Sequence, residues 1–373
     1  MTPAAAPIFI VGMGRSGTTL LRLMLSAHPR IYITHETSFY AWESTYSRRK
    51  ARGDFLDYYF QSSSFRWLDL HQDRILAGLR SPLPRDRVKD AFTAIMREKA
   101  ADYGRVRFGD KTPAHAFYLK RIFEDYPEAR VIHIVRDPRL VAASLLKMPW
   151  GSRSLFCNAA LCDIVWRVVQ KYHNRILEIR LEDLVANPRQ VMSGVLDYVG
   201  EPWDDAVLDH ARHLPDVHDM PPFPWTDGAT RSLSSHGTPR ASLPAVQLRM
   251  IEHVTRRIMK ARGYQPAALT REPHRAAVRW EIWRQLPESI RFLCAFGRLR
   301  RHVRDPRNFA SAETIALWRR LNPPSWEHYP GLERLLIPLE FPSVCSLAAG
   351  RSVPRSLTSG TPAGKSDGMH ETT

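Results

Sequence analysis

The apolar positions of the chain follow two rhythms. Short apolar runs alternate with longer segments in which apolar residues recur every three or four positions. Pro7 to Gly12 is the first short run and predicts a strand. A Gly-rich turn follows, then Leu20, Leu21, Leu23, Met24 and Leu25 mark a helix over Thr18 to Ala27, stopped by Pro29. Ile31 to Thr34 is strand-like. Residues 41–105 read as polar helices and loops with basic and aromatic residues mixed. Gly109 to Pro113 reads as a turn ahead of a helix over Ala116 to Tyr126. Arg130 to Val135 (RVIHIV) predicts a strand, and Pro138 to Leu146 opens the next helix. The alternation repeats with a helix around Leu161 to Tyr172, a strand at Arg175 to Arg180 (RILEIR) and a helix through Val191 to Val199, behind the start signal Pro188. Residues 204–245 hold many Pro, Gly, Ser and His and no strong period, the pattern of a long active-site or interface loop. Leu248 to Gly263 predicts one more helix with a glycine stop.

Strands alternating with helices predict an α/β fold: a P-loop-like three-layer sandwich with a mostly parallel central sheet, helices on both faces, and a helical C-terminal extension. Residues 1–270 form the sheet-bearing domain in this reading. Residues 271–349 are a basic extension containing Trp and Pro. Its 275–304 stretch carries many arginines beside Val278, Trp280, Ile282, Trp283, Leu286, Ile290, Phe292, Leu293 and Phe296, an amphipathic helix expected to break or kink at Pro287. Residues 350–373 are rich in Ser, Thr, Gly and Pro and are expected to be disordered.

Composition narrows the function. With 373 residues the chain is long enough for one large domain or a domain with an extension. Four cysteines without a CxxC pair or a His/Cys cluster predict free thiols in a reducing compartment and no metal site. No run of about 18 uncharged apolar residues is present, and the apolar start lacks the charged lead of a signal peptide. The expected location is the cytoplasm, with peripheral contact at the inner face of the membrane as an option. A formal charge of +16 favours anionic ligands or surfaces without choosing among them.

The chemistry concentrates after the first strand. Gly12-Met13-Gly14-Arg15-Ser16-Gly17-Thr18-Thr19 has the glycine spacing of a nucleoside-triphosphate loop, but Thr18 stands where that motif requires lysine. Gly14 and Gly17 let backbone N–H groups converge on an oxyanion, and the helix adds its positive end. Ser16, Thr18 and Thr19 supply hydroxyls, and Arg15 a forked charge. Such a loop suits a shorter phosphate-like anion. Arg136 stands just beyond the carboxyl end of strand 131–135, where open α/β sheets bind ligands. A salt bridge with Asp137 or Glu182 is its structural alternative, and Arg139 faces the same choice.

These strings resemble a known family. GMGRSGTTLLRLMLSAHPRI is similar to the 5′-phosphosulfate loop of sulfotransferases that use 3′-phosphoadenosine 5′-phosphosulfate (PAPS). VIHIVRDPRLVAASLL, residues 131–146, resembles their 3′-phosphate segment, and DKTPAH (110–115) and EIRLEDLVANPRQVMSGVLDYVGEPW (178–203) match in order. The kinship is with bacterial sulfotransferases, nearest the protein-tyrosine sulfotransferase branch, over roughly residues 7–263. The resemblance implies PAPS as donor, the 3′,5′-bisphosphate PAP as product, and Arg136 and Ser144 on the 3′-phosphate. It also implies in-line sulfuryl transfer to an acceptor hydroxyl, with no metal expected. Glu36 in ITHETSFY is the first choice of base, in a string like that of the tyrosine branch, although Ser38 stands where that branch has arginine. Lys111 takes the role of the lysine that neutralises the leaving oxygen. His115 is the alternative base; the cytosolic branch has a histidine two residues after its lysine, where this chain has Pro113. Among Arg231, Ser235, His236 and Arg240, Arg240 is named for a further donor contact from charge and position alone.

Two other classes remain: a P-loop nucleotide kinase or hydrolase, and a basic protein binding a membrane surface or nucleic acid. The acceptor, whether saccharide, lipid, phenol or peptide, stays open. The 275–304 segment is read as docking on the catalytic domain, on an anionic membrane surface, or on a second copy. No motif supports base readout in nucleic acid.

Overall fold

Five parallel strands run side by side in the order β2-β3-β1-β4-β5. They are β1 (Ile8–Gly12), β2 (Ile31–Thr34), β3 (Arg107–Lys111), β4 (Arg130–Val135) and β5 (Ile176–Arg180). The computed structural model describes residues 6–49, 55–79, 84–213, 243–302, 308 and 312–321. All of these lie in the first of two compact units, Met1–Ile337. The second unit, Pro338–Thr373, lies outside the described residues, as does the tail expected over 350–373.

Strand β1 has no solvent face, which explains its unbroken apolar run. Phe9 and Val11 enter one core with aromatic residues from the helices Phe39–Arg49, Phe55–Phe60 and Pro84–Ala101. Ile8 and Ile10 enter another, with Leu20, Leu21, Met24 and Leu25 of the helix Thr18–Ala27 and Val195 and Val199 of the helix Pro188–Val199. The period-2 side-chain alternation of a strand thus feeds two helical layers, as a buried parallel sheet requires. This is the three-layer α/β sandwich that the alternation predicts.

The structure corrects the sequence reading in three places. Gly109, Asp110 and Lys111 are not a turn but the end of β3, paired with β1 at Ile8↔Gly109 and Ile10↔Lys111. A side chain at Gly109 would lie 2.4 Å from the Ile8 carbonyl oxygen, so the strands close only over glycine. The helix expected over Leu248–Gly263 is two, Ala245–Val254 and Arg256–Arg262, divided at Thr255. Of the break or kink expected at Pro287, the break is absent: the helix Arg275–His302 runs through it. Pro287 is exposed, so the Trp283 carbonyl that loses its i+4 donor lies towards water. That helix packs its Phe292, Ala295 and Leu299 against Cys157 and Leu161 of the helix Leu155–Gln170.

Order β2-β3-β1-β4 has a consequence for the site. From β1 the chain crosses to β2 and β3 on one side and then to β4 and β5 on the other, so β1 sits at the switch point where crevices open beyond the carboxyl ends.

Candidate active site at the carboxyl edge of the sheet

The loop after β1 is held by its glycines. Gly17 adopts φ 98 and Arg15 φ 74, both in the left-handed region. A Cβ at Gly17 would stand 2.6 Å from Leu181 Cδ1, and one at Gly14 would stand 2.7 Å from Trp150 Cη2. Ser16 closes the turn, donating its backbone N–H (3.1 Å) and its hydroxyl (2.6 Å) to the Met13 carbonyl. Gly17 caps the helix Thr18–Ala27 without a side-chain bond. The leading N–H groups of such a helix have no acceptor inside it and face the loop's concavity. A Gly-bounded turn ending on a ten-residue helix fits a phosphate-like anion. Thr18 is buried and Thr19 half-buried at its first turn.

The second motif meets the first here. Arg15 Nε donates to Ser144 Oγ at 3.1 Å, across 129 residues of sequence. Arg136 Nη1 donates to the Arg15 carbonyl at 3.1 Å. Burial lowers the pKa of Arg136, opposed by the nearby charges of Glu182 and Asp137. Neither acid clasps it as the structural alternative supposed: Glu182 accepts from the Asp137 N–H (2.9 Å) and from Tyr264 Oη (2.9 Å). Arg139 has that clasped role instead, with Asp137 at 2.6 Å and Glu252 at 2.7 Å. Its pKa is raised, first by the hydrogen bond to Asp137. Met13, Ser16, His133, Arg136, Val141 and Trp166 line a small crevice beside the loop.

On the other side of β1, Lys111 at the end of β3 meets Glu36 beyond β2. Lys111 Nζ lies 2.8 Å from Glu36 Oε1, with the lysine side chain 6% exposed and the glutamate 51%. One carboxylate thus faces solvent while its ammonium partner is buried. Asp110 fixes both loops from beneath: it accepts from the Thr37 N–H (3.2 Å) and from Thr34 Oγ1 (3.4 Å). Thr112 Oγ1 accepts from the Ser38 N–H at 3.2 Å, a second tie between the same segments. Burial pushes Asp110 up, but neighbouring His115 and hydrogen bonds from His115, Thr37 and Thr112 outweigh it and hold the carboxyl below its usual range.

His115 is fully buried, its Nδ1 2.9 Å from Asp110 Oδ1. Phe9, Tyr40 and Tyr118 surround its ring edge-on. Its contacts are those of a packing histidine, and the solvent-facing group of this corner is Glu36. Arg231, Ser235, His236 and Arg240 lie outside the described residues. Among the described residues, no three His, Cys, Asp or Glu side chains are grouped to hold a metal ion. Sequence reasoning did not single out Asp110, Thr37 or Trp150. Only the DKTP string around Asp110 offered a signal, since a carboxylate beside a candidate lysine invites a partner search.

The chain is 28% identical over 220 residues to protein-tyrosine sulfotransferase A of Caenorhabditis elegans, covering 55% of this chain and 52% of that protein. It is 29% identical over 227 residues to protein-tyrosine sulfotransferase 2 of Gallus gallus, covering 54% and 53%. It therefore spans about half the length of these relatives. Among solved structures, the sulfotransferase domain from the curacin biosynthetic pathway superposes with a TM-score of 0.48 at 21% identity, covering 70% of this chain and 99% of that one. Residues 7–205 match the sulfotransferase family, which takes in every strand of the sheet together with the glycine loop, Glu36, Lys111, Arg136 and Ser144. The chain belongs to the sulfotransferase family.

Proposed function

We propose that this protein transfers the sulfuryl group of PAPS to an acceptor hydroxyl, with Glu36 as base and Lys111 stabilising the leaving oxygen. The observation that carries the reading is the spatial order along the sheet edge. Glu36 beyond β2, Lys111 ending β3, the loop after β1 and Arg136 beyond β4 stand in one row, although the sequence scatters them from Gly12 to Arg136. Strands are spaced about 4.8 Å apart, so this row extends over roughly 14 Å.

In the reaction the acceptor oxygen forms a bond to sulfur, and the bond from sulfur to the oxygen bridging it to the adenylyl phosphate breaks. Glu36 takes the acceptor proton; its exposure lets a hydroxyl approach from solvent. Lys111 places positive charge where negative charge develops on the bridging oxygen, and its burial strengthens that field. The loop N–H groups, Ser16, Thr18 and Thr19 hold the 5′ end, and Arg136 with Ser144 holds the 3′-phosphate. Arg15 ties the two anion sites through its bond to Ser144 and its carbonyl bond to Arg136. Thr18 in place of the P-loop lysine argues against transfer from a nucleoside triphosphate.

The acceptor is a hydroxyl compound. Burial pushes the Cys162 thiol up to about 12, which keeps it a protonated, weakly nucleophilic packing group with no part in the transfer. Calorimetry with PAP tests the donor assignment. Affinity should fall by at least about tenfold in Arg136→Ala, the range for losing a charge-assisted bond. Equal affinity of the wild type for PAP and adenosine 5′-monophosphate would remove the 3′-phosphate role of Arg136.

A further inference from the structure

The helix Arg275–His302 has two faces that differ in kind. Its inner face is fixed. Val278 and Ile282 pack beside Leu155, Ala159, Met250 and Ile251, while Phe292, Ala295 and Leu299 pack beside Cys157, Leu317 and Leu321. Polar contacts add register: Gln285 Oε1 accepts from the Phe156 N–H at 2.9 Å and from Ser154 Oγ at 3.1 Å, and Ser289 Oγ donates to Ser154 Oγ at 2.9 Å.

Its outer face is apolar and exposed. Trp280 is 68% accessible, Trp283 67%, Ile290 59%, Leu293 54% and Phe296 42%. Spacings of three and seven place the first three on one stripe, and the last two carry it around the helix. Five large apolar side chains on one solvent-facing helix exceed the scattered exposure that needs no explanation. Among the described side chains of this helix, every exposed one that carries a charge at neutral pH is an arginine: Arg275, Arg279, Arg284, Arg291, Arg298 and Arg301. The acidic groups lie inward. Glu281 is buried beneath Arg284, and half-buried Glu288 pairs with Arg291.

We propose that this face seats the protein on an anionic lipid surface. Tryptophans flanked by arginines suit the boundary between headgroups and acyl chains, where an indole is half immersed and a guanidinium meets phosphate. The partner must be negative, because the exposed charged groups are all positive. A second copy is disfavoured by the same fact, since a two-fold interface through this stripe would oppose arginine to arginine. Nucleic acid would accept the charge but leaves Ile290 and Leu293 without a use. No helix among the described residues is long and apolar enough to cross a membrane, so the contact is peripheral. The face belongs to no part of the transfer site and needs neither donor nor acceptor.

Co-flotation of the full chain with phosphatidylcholine vesicles containing phosphatidylglycerol tests this. Binding should occur, weaken with salt, and drop at least about tenfold on pure phosphatidylcholine. The double variants Trp280→Ser/Trp283→Ser and Arg279→Gln/Arg298→Gln should each lose at least about tenfold in vesicle affinity. Their melting should match the wild type, because all four side chains are exposed. Absence of wild-type binding to the anionic vesicles would overturn the proposal, as would undiminished binding by the tryptophan pair. A dimer that dissociates in the tryptophan variant, or oligonucleotide binding lost in both variants without vesicle binding, would equally replace lipid by another partner.

Discussion

A single buried carboxylate, Asp110, carries more of the site than its chemistry suggests. It touches the backbone of Thr37, one residue from Glu36, and is itself the chain neighbour of Lys111. Reaction rates fall steeply when positioned groups move by an ångström. Asp110→Asn keeps the shape and removes the charge, and should cut turnover up to about 10²-fold with PAP affinity within a few-fold. Steady-state kinetics beside PAP calorimetry separates the two; loss of affinity matching the loss of turnover would mean that Asp110 supports donor binding instead. Lys111→Ala should lower turnover by about 10²–10³ and also weaken the donor, since its charge acts before and during transfer. Unchanged turnover would leave Arg15 as the remaining cation for the bridging oxygen.

At the scale of elements, the glycine loop and β3 show how far a pattern carries. The loop was legible because glycines, a preceding apolar strand and a following helix are signals within a dozen residues. Strand β3 was not, because Arg107, Asp110 and Lys111 hide it from any hydrophobic count. Each is compensated by a distant partner: Arg107 by Glu201 at 3.2 Å, Asp110 by Thr34, Thr37 and His115, and Lys111 by Glu36. Buried polarity is tolerated when paired, and such pairings are long-range facts. At Pro287 the sequence left a break and a kink both open for a related reason, since the effect of a proline depends on which side of the helix meets water. The loop yields a paired prediction. Gly17→Ala forces a side chain onto φ 98 and into Leu181, and should cost about 1–3 kcal/mol and at least about tenfold in PAP affinity. Gly194→Ala, exposed in the helix Pro188–Val199 with open space around its Cβ position, should gain about 0.5–1 kcal/mol. Denaturant unfolding measures both, and a neutral Gly17 variant would contradict the close-packed loop.

The whole molecule couples its site to pH through buried groups. Burial, then the charges of Arg22, Lys111 and Lys99, hold the His35 pKa well below its usual value. The native state therefore resists a proton that the unfolded chain accepts below about pH 6.5. Stability should be flat above that point and fall on acidification, by up to about 1.4 kcal/mol per pH unit from this histidine. The lowered Asp110 adds to the fall near the unfolded carboxyl pKa, about 3.9. Urea midpoints from pH 8 to 5 check the first step, and His35→Gln should flatten it; an unchanged slope in that variant would assign the proton elsewhere. At this scale the separate motifs become one edge, with Glu36 and Lys111 on one side of the glycine loop and Arg136 on the other. Sulfuryl transfer with Glu36 as base is tested by following labelled sulfur from PAPS into hydroxyl acceptors with the wild type and Glu36→Gln. A labelled product is expected whose rate of formation falls by about 10²–10⁴ in the variant, with PAP affinity within a few-fold; near-normal transfer by a folded Glu36→Gln would contradict the assignment of Glu36 as base.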